Sequence, residues 1–523
     1  MRLLVASLAC ACALHGGELS KRYDLTLERV LAGGEPRYTV DLLAADVIPD
    51  DSRVFTNFSG DLSGRYLGAL ASAGHGDKAL GILPELLEHQ RPDGSFGNPL
   101  SPSGATDDDM ARLWGAGRML VGLVELHQAT EDQRALEAAA KLGDWLLTQT
   151  PRFNADAVRA EFLSGRMATG YICWTQNVEA LVALGTVAED GSRYVAAARE
   201  ITATLDRRPG QHVHGWLSTL RGMVLDPSLR PSAMAAVGTF TATPDLLPTG
   251  SVAEYFLPGL SRDEGCSHAD WVRLNLQLAS VTGDDAYLES AEAALFNGFY
   301  PNQSAQGGFG HLRFSQRGVE GGHEEAWWCC TLHGLRAFSE IRAAAFSTVD
   351  GGPRYQLPVD GPYSNQDLEL RADSTLEEDE TASVTVVRGE LVALDVRQPE
   401  WSGPLTLTRG GEAIGDPLNL DPPLEAGETL TIHYSPLDRT IDGIQYRGPW
   451  ILATPADAPA ARVRLADRTW RSPEAEWSFL PAERSLPVQR ESRLPRLLRL
   501  GLYAALAAAL LLYSLHLTGR RSS

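Results

Sequence analysis

At 523 residues the chain is long enough for two or three domains with full cores. Its formal charge of −21 leaves no basic footprint for nucleic acid. The charge suits an extracytoplasmic body handling neutral ligands, and the 11 tryptophans suit a carbohydrate.

Residues 1–17 read as a secretory signal, with basic Arg2, an apolar run from Leu3 to Leu14 and small residues from Ala11 to Gly17. The run is too short to span a bilayer. Cys10 and Cys12 read as small apolar residues of that signal, with a lipoprotein cysteine as the alternative. Cys173, Cys266, Cys329 and Cys330 then remain, enough for two disulfides in an oxidising compartment. Adjacent Cys329 and Cys330 can pair with each other only through a strained ring.

Residues 18–55 are expected as short strands and loops, with Arg37 to Leu43 alternating. Apolar residues at spacings of three and four then predict helices over 62–73, 79–89, 110–128, 133–149, 177–188, 192–205, 212–225, 269–281, 285–299 and 335–346. A weak repeat joins them. The runs from Leu123, Leu181 and Leu276 each pass through a polar turn into a second helix opening near Leu136, Tyr194 or Tyr287. Helix pairs of this kind bury their faces only by stacking. Residues 56–350 are therefore expected as an α/α six-hairpin barrel, a toroid of about six pairs with a cleft at one loop end. An open solenoid is the alternative.

From Pro353 the pattern turns to alternating strands separated by Gly, Pro and Asp, so 351–478 is expected as a β-sandwich domain. Residues 479–498 read as a linker, 499–519 as a transmembrane helix (apolar from Leu500 to Thr518) and 520–523 as a tail. The expected protein is a single-pass one of the cell membrane with its body outside. The alternative is a hydrophobic helix docked on the body.

The densest chemistry is Trp327-Trp328-Cys329-Cys330-Thr331-Leu332-His333-Gly334, with Glu264-Gly265-Cys266 upstream. One carboxylate and three thiols suit one tetrahedral Zn²⁺. A metal-bound thiol is deprotonated at neutral pH and is a candidate nucleophile. A stability-only zinc or buried free cysteines are the alternatives, and His268 can replace a cysteine as ligand. Glu254 stands among apolar neighbours in a Gly/Pro-rich loop, surroundings that raise a carboxyl toward a general acid. Glu254 and Glu264 can instead be the carboxylate pair of an ordinary glycosidase. Adjacent Glu324 and Glu325 are more simply solvated surface. His212, His214, His311 and His333 can each hydrogen-bond a sugar hydroxyl or be satisfied structural histidines.

To these motifs are added Leu62-Ser-Gly-Arg-Tyr-Leu-Gly-Ala-Leu, Leu113-Trp-Gly-Ala-Gly-Arg-Met-Leu-Val-Gly-Leu, Ala293-Ala-Leu-Phe-Asn-Gly and Arg447-Gly-Pro-Trp-Ile-Leu-Ala. In this order the set resembles glycoside hydrolase family 127 and its relative family 146, β-L-arabinofuranosidases with an α/α six-hairpin barrel and β-sandwich domains. The resemblance covers roughly residues 55 to 455. It implies Cys329 as nucleophile, Glu264, Cys266 and Cys330 as zinc ligands with the Cys329 sulfur also on the metal, and Glu254 as general acid/base. His212 matches a sugar-contacting histidine.

There are departures. Arg118 stands where many relatives carry a histidine, Trp174-Thr175-Gln176 where another pocket histidine is usual, and Thr331-Leu332-His333 where a proline-rich sequence often follows. Arg118, Trp174, His214, His311 and His333 join His212 as substrate-binding candidates, and the altered positions leave arabinofuranose itself open. The membrane anchor is also unusual for the family. The expected function is a retaining glycosidase acting on an oligosaccharide or glycan. A carboxylate-pair glycosidase with structural zinc and a non-catalytic surface carbohydrate-binding protein are the alternatives.

Overall fold

The computed structural model describes residues 16–49, 57–163, 167–243, 245–247, 250–257, 262–315, 318–441, 444–453, 461–464, 469–471 and 476–478. The expected linker, transmembrane helix and tail lie outside these residues, as does the signal apart from Gly16 and Gly17. Among the described residues no helix is long and apolar enough to cross a membrane.

The helices, in chain order, are α1 (Glu18–Leu31), α2 (Val40–Ala45), α3 (Asp61–Ser72), α4 (Gly76–Glu88), α5 (Asp107–Thr130), α6 (Gln133–Phe153), α7 (Asp156–Phe162), α8 (Ile172–Thr175) and α9 (Asn177–Val187). They continue as α10 (Ser192–Thr202), α11 (Val213–Leu225), α12 (Arg230–Thr241), α13 (Gly265–Thr282), α14 (Ala286–Ala294), α15 (Tyr300–Asn302), α16 (Cys330–Ala343) and α17 (Leu376–Asp379). Helices α3, α5, α9, α11, α13 and α16 each pack on the next, and α16 returns to α3. This closes an inner ring. Helices α4, α6, α10, α12 and α14 lie outside their partners, and α1 covers α16. The ring therefore closes as a toroid rather than running on as an open solenoid.

The expectation for residues 18–55 is corrected here, since they form α1 and α2. Leu19, Tyr23, Thr26 and Val30 are buried at helical spacing, but Arg22 and Arg29 share that face and mask it in the sequence. Both have partners: Arg22 pairs with Glu18 at 2.6 Å and stacks on Tyr300, and Arg29 donates to Glu325 Oε1 at 2.9 Å. The apparent alternation near Val40 is a helix start, because the Thr39 hydroxyl accepts the Leu42 N–H. Helices α7 and α12 were also not expected.

Close packing fixes the ring. A Cβ on Gly64 would lie 2.4 Å from Met119 Cα, and one on Gly122 would lie 2.0 Å from Gly64 O. Glycine at both positions lets α3 and α5 touch backbone to backbone.

The strands are β1 (Gly310–Ser315), β2 (Gly318–Glu325), β3 (Phe346–Val349), β4 (Gly352–Tyr355), β5 (Gly361–Ser364), β6 (Glu369–Thr375), β7 (Thr381–Arg388), β8 (Asp395–Val396), β9 (Thr406–Arg409), β10 (Glu412–Ala413) and β11 (Thr429–His433). Beyond them come β12 (Asp438–Ile441), β13 (Ile444–Arg447), β14 (Trp450–Ala453), β15 (Ala461–Arg464), β16 (Thr469–Arg471) and β17 (Glu476–Ser478). β1 and β2 form a hairpin inside the helical part, which the sequence reading had not placed. One sheet runs β10-β9-β11-β7-β6-β5 and a smaller one β3-β4-β8, in contact through the rings of Phe346 and Tyr363. Residues 438–478 differ from the expected single sandwich, because β12 to β17 pair consecutively as their own meander.

The β part is joined to α14. Buried Glu292 accepts from Trp401 Nε1 at 2.7 Å and pairs with Arg397, which also reaches Glu289 at 2.5 Å. A π-turn at Leu295–Phe299 offers Asn297, whose Nδ2 donates to Pro449 O at 2.9 Å. Breaking a buried pair by removing one partner costs about 3–5 kcal/mol. Glu292→Ala is expected to lower the unfolding free energy by that amount in chemical denaturation, and an unchanged midpoint would show that the joint does not hold the two parts together.

Candidate active site

Two helix starts build the centre of the site. Glu264 is the N-cap residue of α13 and Cys329 that of α16, so partial positive charge from two helix ends lies beside the acidic donors. Cys266 Sγ is 3.4 Å from Cys330 Sγ, which is 3.6 Å from Cys329 Sγ. These sulfurs and a Glu264 carboxylate oxygen all lie within 4.8 Å of one another, in four buried residues. Gly265 makes the approach possible, since a Cβ there would sit 2.7 Å from Asn302 Oδ1 and 3.2 Å from Cys330 Cβ. Around a tetrahedral ion with sulfur bonds of about 2.3 Å, the donor atoms sit roughly 3.8 Å apart. The donor set therefore fits one metal ion. None of the four described cysteines is in a disulfide, so the two-disulfide alternative is not what the structure shows.

The charges are arranged around this group. Hydrogen bonds from Cys266 and Cys330, with Arg65 nearby, hold the Cys329 thiol well below its ordinary range. Burial pushes Cys266 and Cys330 well up. Burial also favours a neutral Glu264, but His212 Nε2, 3.2 Å from Oε2, outweighs it and keeps the carboxylate charged. Ser267 Oγ donates to the same oxygen at 2.9 Å. Against its own burial, His212 is raised in return by Glu264.

Glu254 comes from a different segment. Its carbonyl accepts the Val213 N–H at 3.0 Å, and its N–H donates to Arg262 O at 3.2 Å, so residues 250–257 lie alongside the start of α11. Burial and the charge on Glu264 push its carboxyl up. Arg262 Nε, 3.0 Å from Oε2, works in the other direction.

Glu254, Glu264 and Cys329 border one cavity of about 260 Å³. Of the three clustered sulfurs, Cys329 alone lines it. His212, His214 and His311 form another part of the wall, and Phe58, Trp114, Tyr255 and Trp328 supply aromatic faces. Asp61 and Arg65 complete it, and sequence reasoning missed both as site residues. Asp61 Oδ1 accepts from Arg65 Nε at 2.7 Å and from Trp114 Nε1 at 3.0 Å. The readable sign was an acid and a base four residues apart on an otherwise small and apolar helix.

Below the cavity lies a buried ionic network. Asp270 takes His214 Nδ1 at 2.6 Å, His333 Nε2 at 2.8 Å and Arg273 Nη1 at 2.9 Å. His214, Asp270 and His333 are close enough to hold a metal. However, Arg65 Nη2 lies 3.0 Å from His214 Nε2 and Arg273 Nη1 3.1 Å from His333 Nε2, so guanidinium groups already face these rings. Arg118 and Arg221 pair with Glu179, Arg336 with Glu125 and Arg273 with Glu340. With Asp61 and Arg65, five guanidinium groups face five carboxylates. The balance leaves His214 and His333 neutral, and burial lowers both.

Several sequence expectations are relocated. Arg118 and His333 border a separate, water-sized space of about 10 Å³, not the main cavity. Arg118 Nε donates to Gln176 Oε1 at 2.9 Å, so two of the positions that depart from the family pattern contact each other. Trp174 is fully buried, donating to Asn154 Oδ1 at 2.8 Å against the Phe153 ring. His268 faces Asp263 Oδ2 at 2.7 Å rather than the sulfurs. Glu324 is exposed, and Glu325 accepts from Arg29 and Thr331. Cys173 donates to Ala168 O at 3.1 Å.

Residues 56–205 match the family model described as β-L-arabinofuranosidase, GH127 catalytic domain. The match ends ahead of Glu254, Glu264 and the clustered cysteines. A GH127 β-L-arabinofuranosidase from Geobacillus stearothermophilus T6 is similar in structure, with a TM-score of 0.63 at 16% identity, covering 84% of this chain and 85% of that one. A GH127 β-arabinofuranosidase has a TM-score of 0.62 at 15% identity over 84% and 83%. A glycoside hydrolase has 0.58 at 15% over 84% and 81%. No curated protein matches the chain. The structural likenesses bear out the fold of a helical domain followed by a β domain. The family match bears out the resemblance and the class: a glycoside hydrolase, β-L-arabinofuranosidase-like.

The neutral histidines make a pH prediction. A histidine whose folded pKa is depressed contributes stability that is full above its unfolded value, about 6.5, and is lost as pH falls below it. His214 and His333 should therefore pull denaturation midpoints down between pH 7.5 and 5.5, against the opposite contribution of raised His212, and His333→Gln, at equal metal loading, should shift the pH slope in the direction of a shallower drop. An identical slope in the variant would show that His333 is not held neutral.

Proposed function

We propose that the chain is a retaining glycosidase for a β-L-arabinofuranoside or a close furanoside relative, with Cys329 as nucleophile and Glu254 as general acid/base. The carrying observation is that Glu254 and Cys329 share the wall of one cavity while the other two clustered sulfurs lie behind it. Glu264, Cys266, Cys329 and Cys330 are the residues that would hold Zn²⁺, an ion that accepts thiolate and carboxylate together. When bound, it keeps the sulfurs deprotonated and draws charge from them.

The chain's own groups then divide the work. Glu254, whose carboxyl burial and the charge on Glu264 push up, gives its proton to the leaving oxygen as Cys329 Sγ attacks the anomeric carbon and the C–O bond breaks. Glu254, now a carboxylate, takes a proton from water as that water attacks the same carbon and the C–S bond breaks. Configuration is retained because there are two displacements. His212, His214 and His311 can bind hydroxyl groups, and Trp114, Tyr255 and Trp328 offer faces to the ring. Arg118 and Trp174 stand outside the cavity wall, so those departures do not count against a pentofuranose.

The carboxylate-pair alternative is weakened by Glu264's surroundings. One of its oxygens is held by His212 and Ser267, and the group sits among the sulfurs. Placement of the body outside the cytoplasm, held by residues 499–519, is part of the proposal and rests on the sequence alone.

The test is hydrolysis of a chromogenic β-L-arabinofuranoside by zinc-loaded wild type, Cys329→Ser, Glu254→Gln and Glu264→Gln. Cys329→Ser should abolish turnover. Glu254→Gln should lower kcat by about 10²- to 10⁴-fold. Full activity of Cys329→Ser rules out the thiolate nucleophile. Partial activity there, with Glu264→Gln as damaging as Glu254→Gln, supports the carboxylate pair. No turnover by folded wild type transfers the question to other glycosides or to a binding role.

A further inference from the structure

We infer that Arg65 is the counter-charge of the metal–thiolate site, a positioning residue that fixes the Cys266 sulfur and sets how tightly the four donors hold their ion. The inference rests on the metal reading proposed above. Arg65 is 7% exposed and uses its fork in three directions. Nε donates to Asp61 Oδ1 at 2.7 Å, Nη2 lies 3.0 Å from His214 Nε2, and Nη1 donates to Cys266 Sγ at 3.8 Å.

Each anchor is itself anchored. Asp61 is held by Trp114 Nε1, and His214 by Asp270 through its other ring nitrogen. His214, kept neutral with its proton on Nδ1, offers a lone pair at Nε2. The guanidinium plane is therefore set from two sides before it meets the sulfur. A lysine, a point charge on a flexible stem, cannot make the three contacts together.

Charge supplies the reason. Three thiolates and a carboxylate bring four negative charges, and a divalent ion offsets two. The remainder is buried and needs cationic neighbours, because an uncompensated charge in the interior is costly. His212 faces the carboxylate of Glu264, and Arg65 faces a sulfur. The two groups thus approach the ligand set at different donors, and Arg65 is the permanent cation of the two. Cys266 lies behind the cavity wall and does not react in the proposed mechanism, so a donor hydrogen bond there tunes the ion without obstructing Cys329.

The test uses the full chain loaded with Co²⁺ or Zn²⁺. Wild type, Arg65→Lys, Arg65→Met and the double variant Asp61→Asn/Arg65→Met are compared, the last removing the carboxylate that the single variant would orphan. The readouts are the thiolate-to-cobalt charge-transfer absorption, chelator competition for Zn²⁺, and circular dichroism for folding. Wild type should bind one ion with a thiolate–cobalt band that Cys266→Ser alters. Both Met variants should lose about 10- to 100-fold in zinc affinity, the range for a group supporting a metal ligand, and shift the band. Arg65→Lys should fall between. If the folded double variant keeps wild-type affinity and spectrum, the role of Arg65 is overturned and the metal site stands. If wild type shows no thiolate–cobalt band at stoichiometric metal, the metal reading fails and takes the Arg65 role with it. A merely structural Arg65 would lower the melting temperature without moving the cobalt bands.

Discussion

Two helix starts meeting across a glycine are the constraint on which the site depends. Helices α13 and α16 are neighbours in the inner ring, and each carries its donors at the first turn. A helix N-terminus favours negative charge and lowers a thiol's pKa. Putting Glu264, Cys266, Cys329 and Cys330 there brings four acidic groups together where the backbone favours their ionised forms, against the burial that pushes Cys266 and Cys330 up. A Cβ at position 265 would press on Asn302 Oδ1 at 2.7 Å and on Cys330 Cβ at 3.2 Å, so the two ends could keep this approach only if those neighbours gave way. The ring supplies the neighbours, and Gly265 supplies the distance.

The ring's interior answers a different requirement. Inner helices of a closed toroid face one another, and here their central positions carry Arg118, Arg221, Arg273 and Arg336 against Glu125, Glu179, Asp270 and Glu340. Buried pairs of this kind add little net stability over apolar packing, but they fix orientation. Asp270 sets the His214 tautomer, His214 receives Arg65, and Arg65 meets Cys266. The network thereby connects to the clustered sulfurs through directional bonds rather than through loose packing.

The sequence shows the helices well and their functional ends poorly, for one physical reason. Helix α13 begins at Gly265 and α16 at Cys330, whereas apolar spacing begins only at 269 and 335. The first turn of each carries a cysteine and a histidine in place of an apolar stripe, so periodicity is silent where those side chains stand. The same effect hid α1, whose buried face includes Arg22 and Arg29. The Glu-x-Cys and Cys-Cys motifs were legible because their residue types are rare and reactive. Arg118 and Trp174 were misplaced because spacing gives a helix face but not what that face meets. Arg65 lay in a motif read only as a family match, with Asp61 just before it, although their spacing already allowed a pair.

Closure of the ring ties the site to the chain's start. Helix α1 is the outer cover of α16, whose first residue is Cys330. Arg29 reaches Glu325, which also accepts from Thr331, and the Tyr38 hydroxyl donates to Trp327 O at 2.6 Å. The turn that presents Cys329 is therefore held by residues nearly 300 positions earlier. Contacts of such sequence separation carry a loop-closure cost that local helix contacts do not. Convergence of the three sulfurs and Glu264 needs α16 docked on α13, and α1 covers α16 from the outside. An ion held by these four donors would tie α13 to α16 and so stabilise the closed toroid rather than any single hairpin.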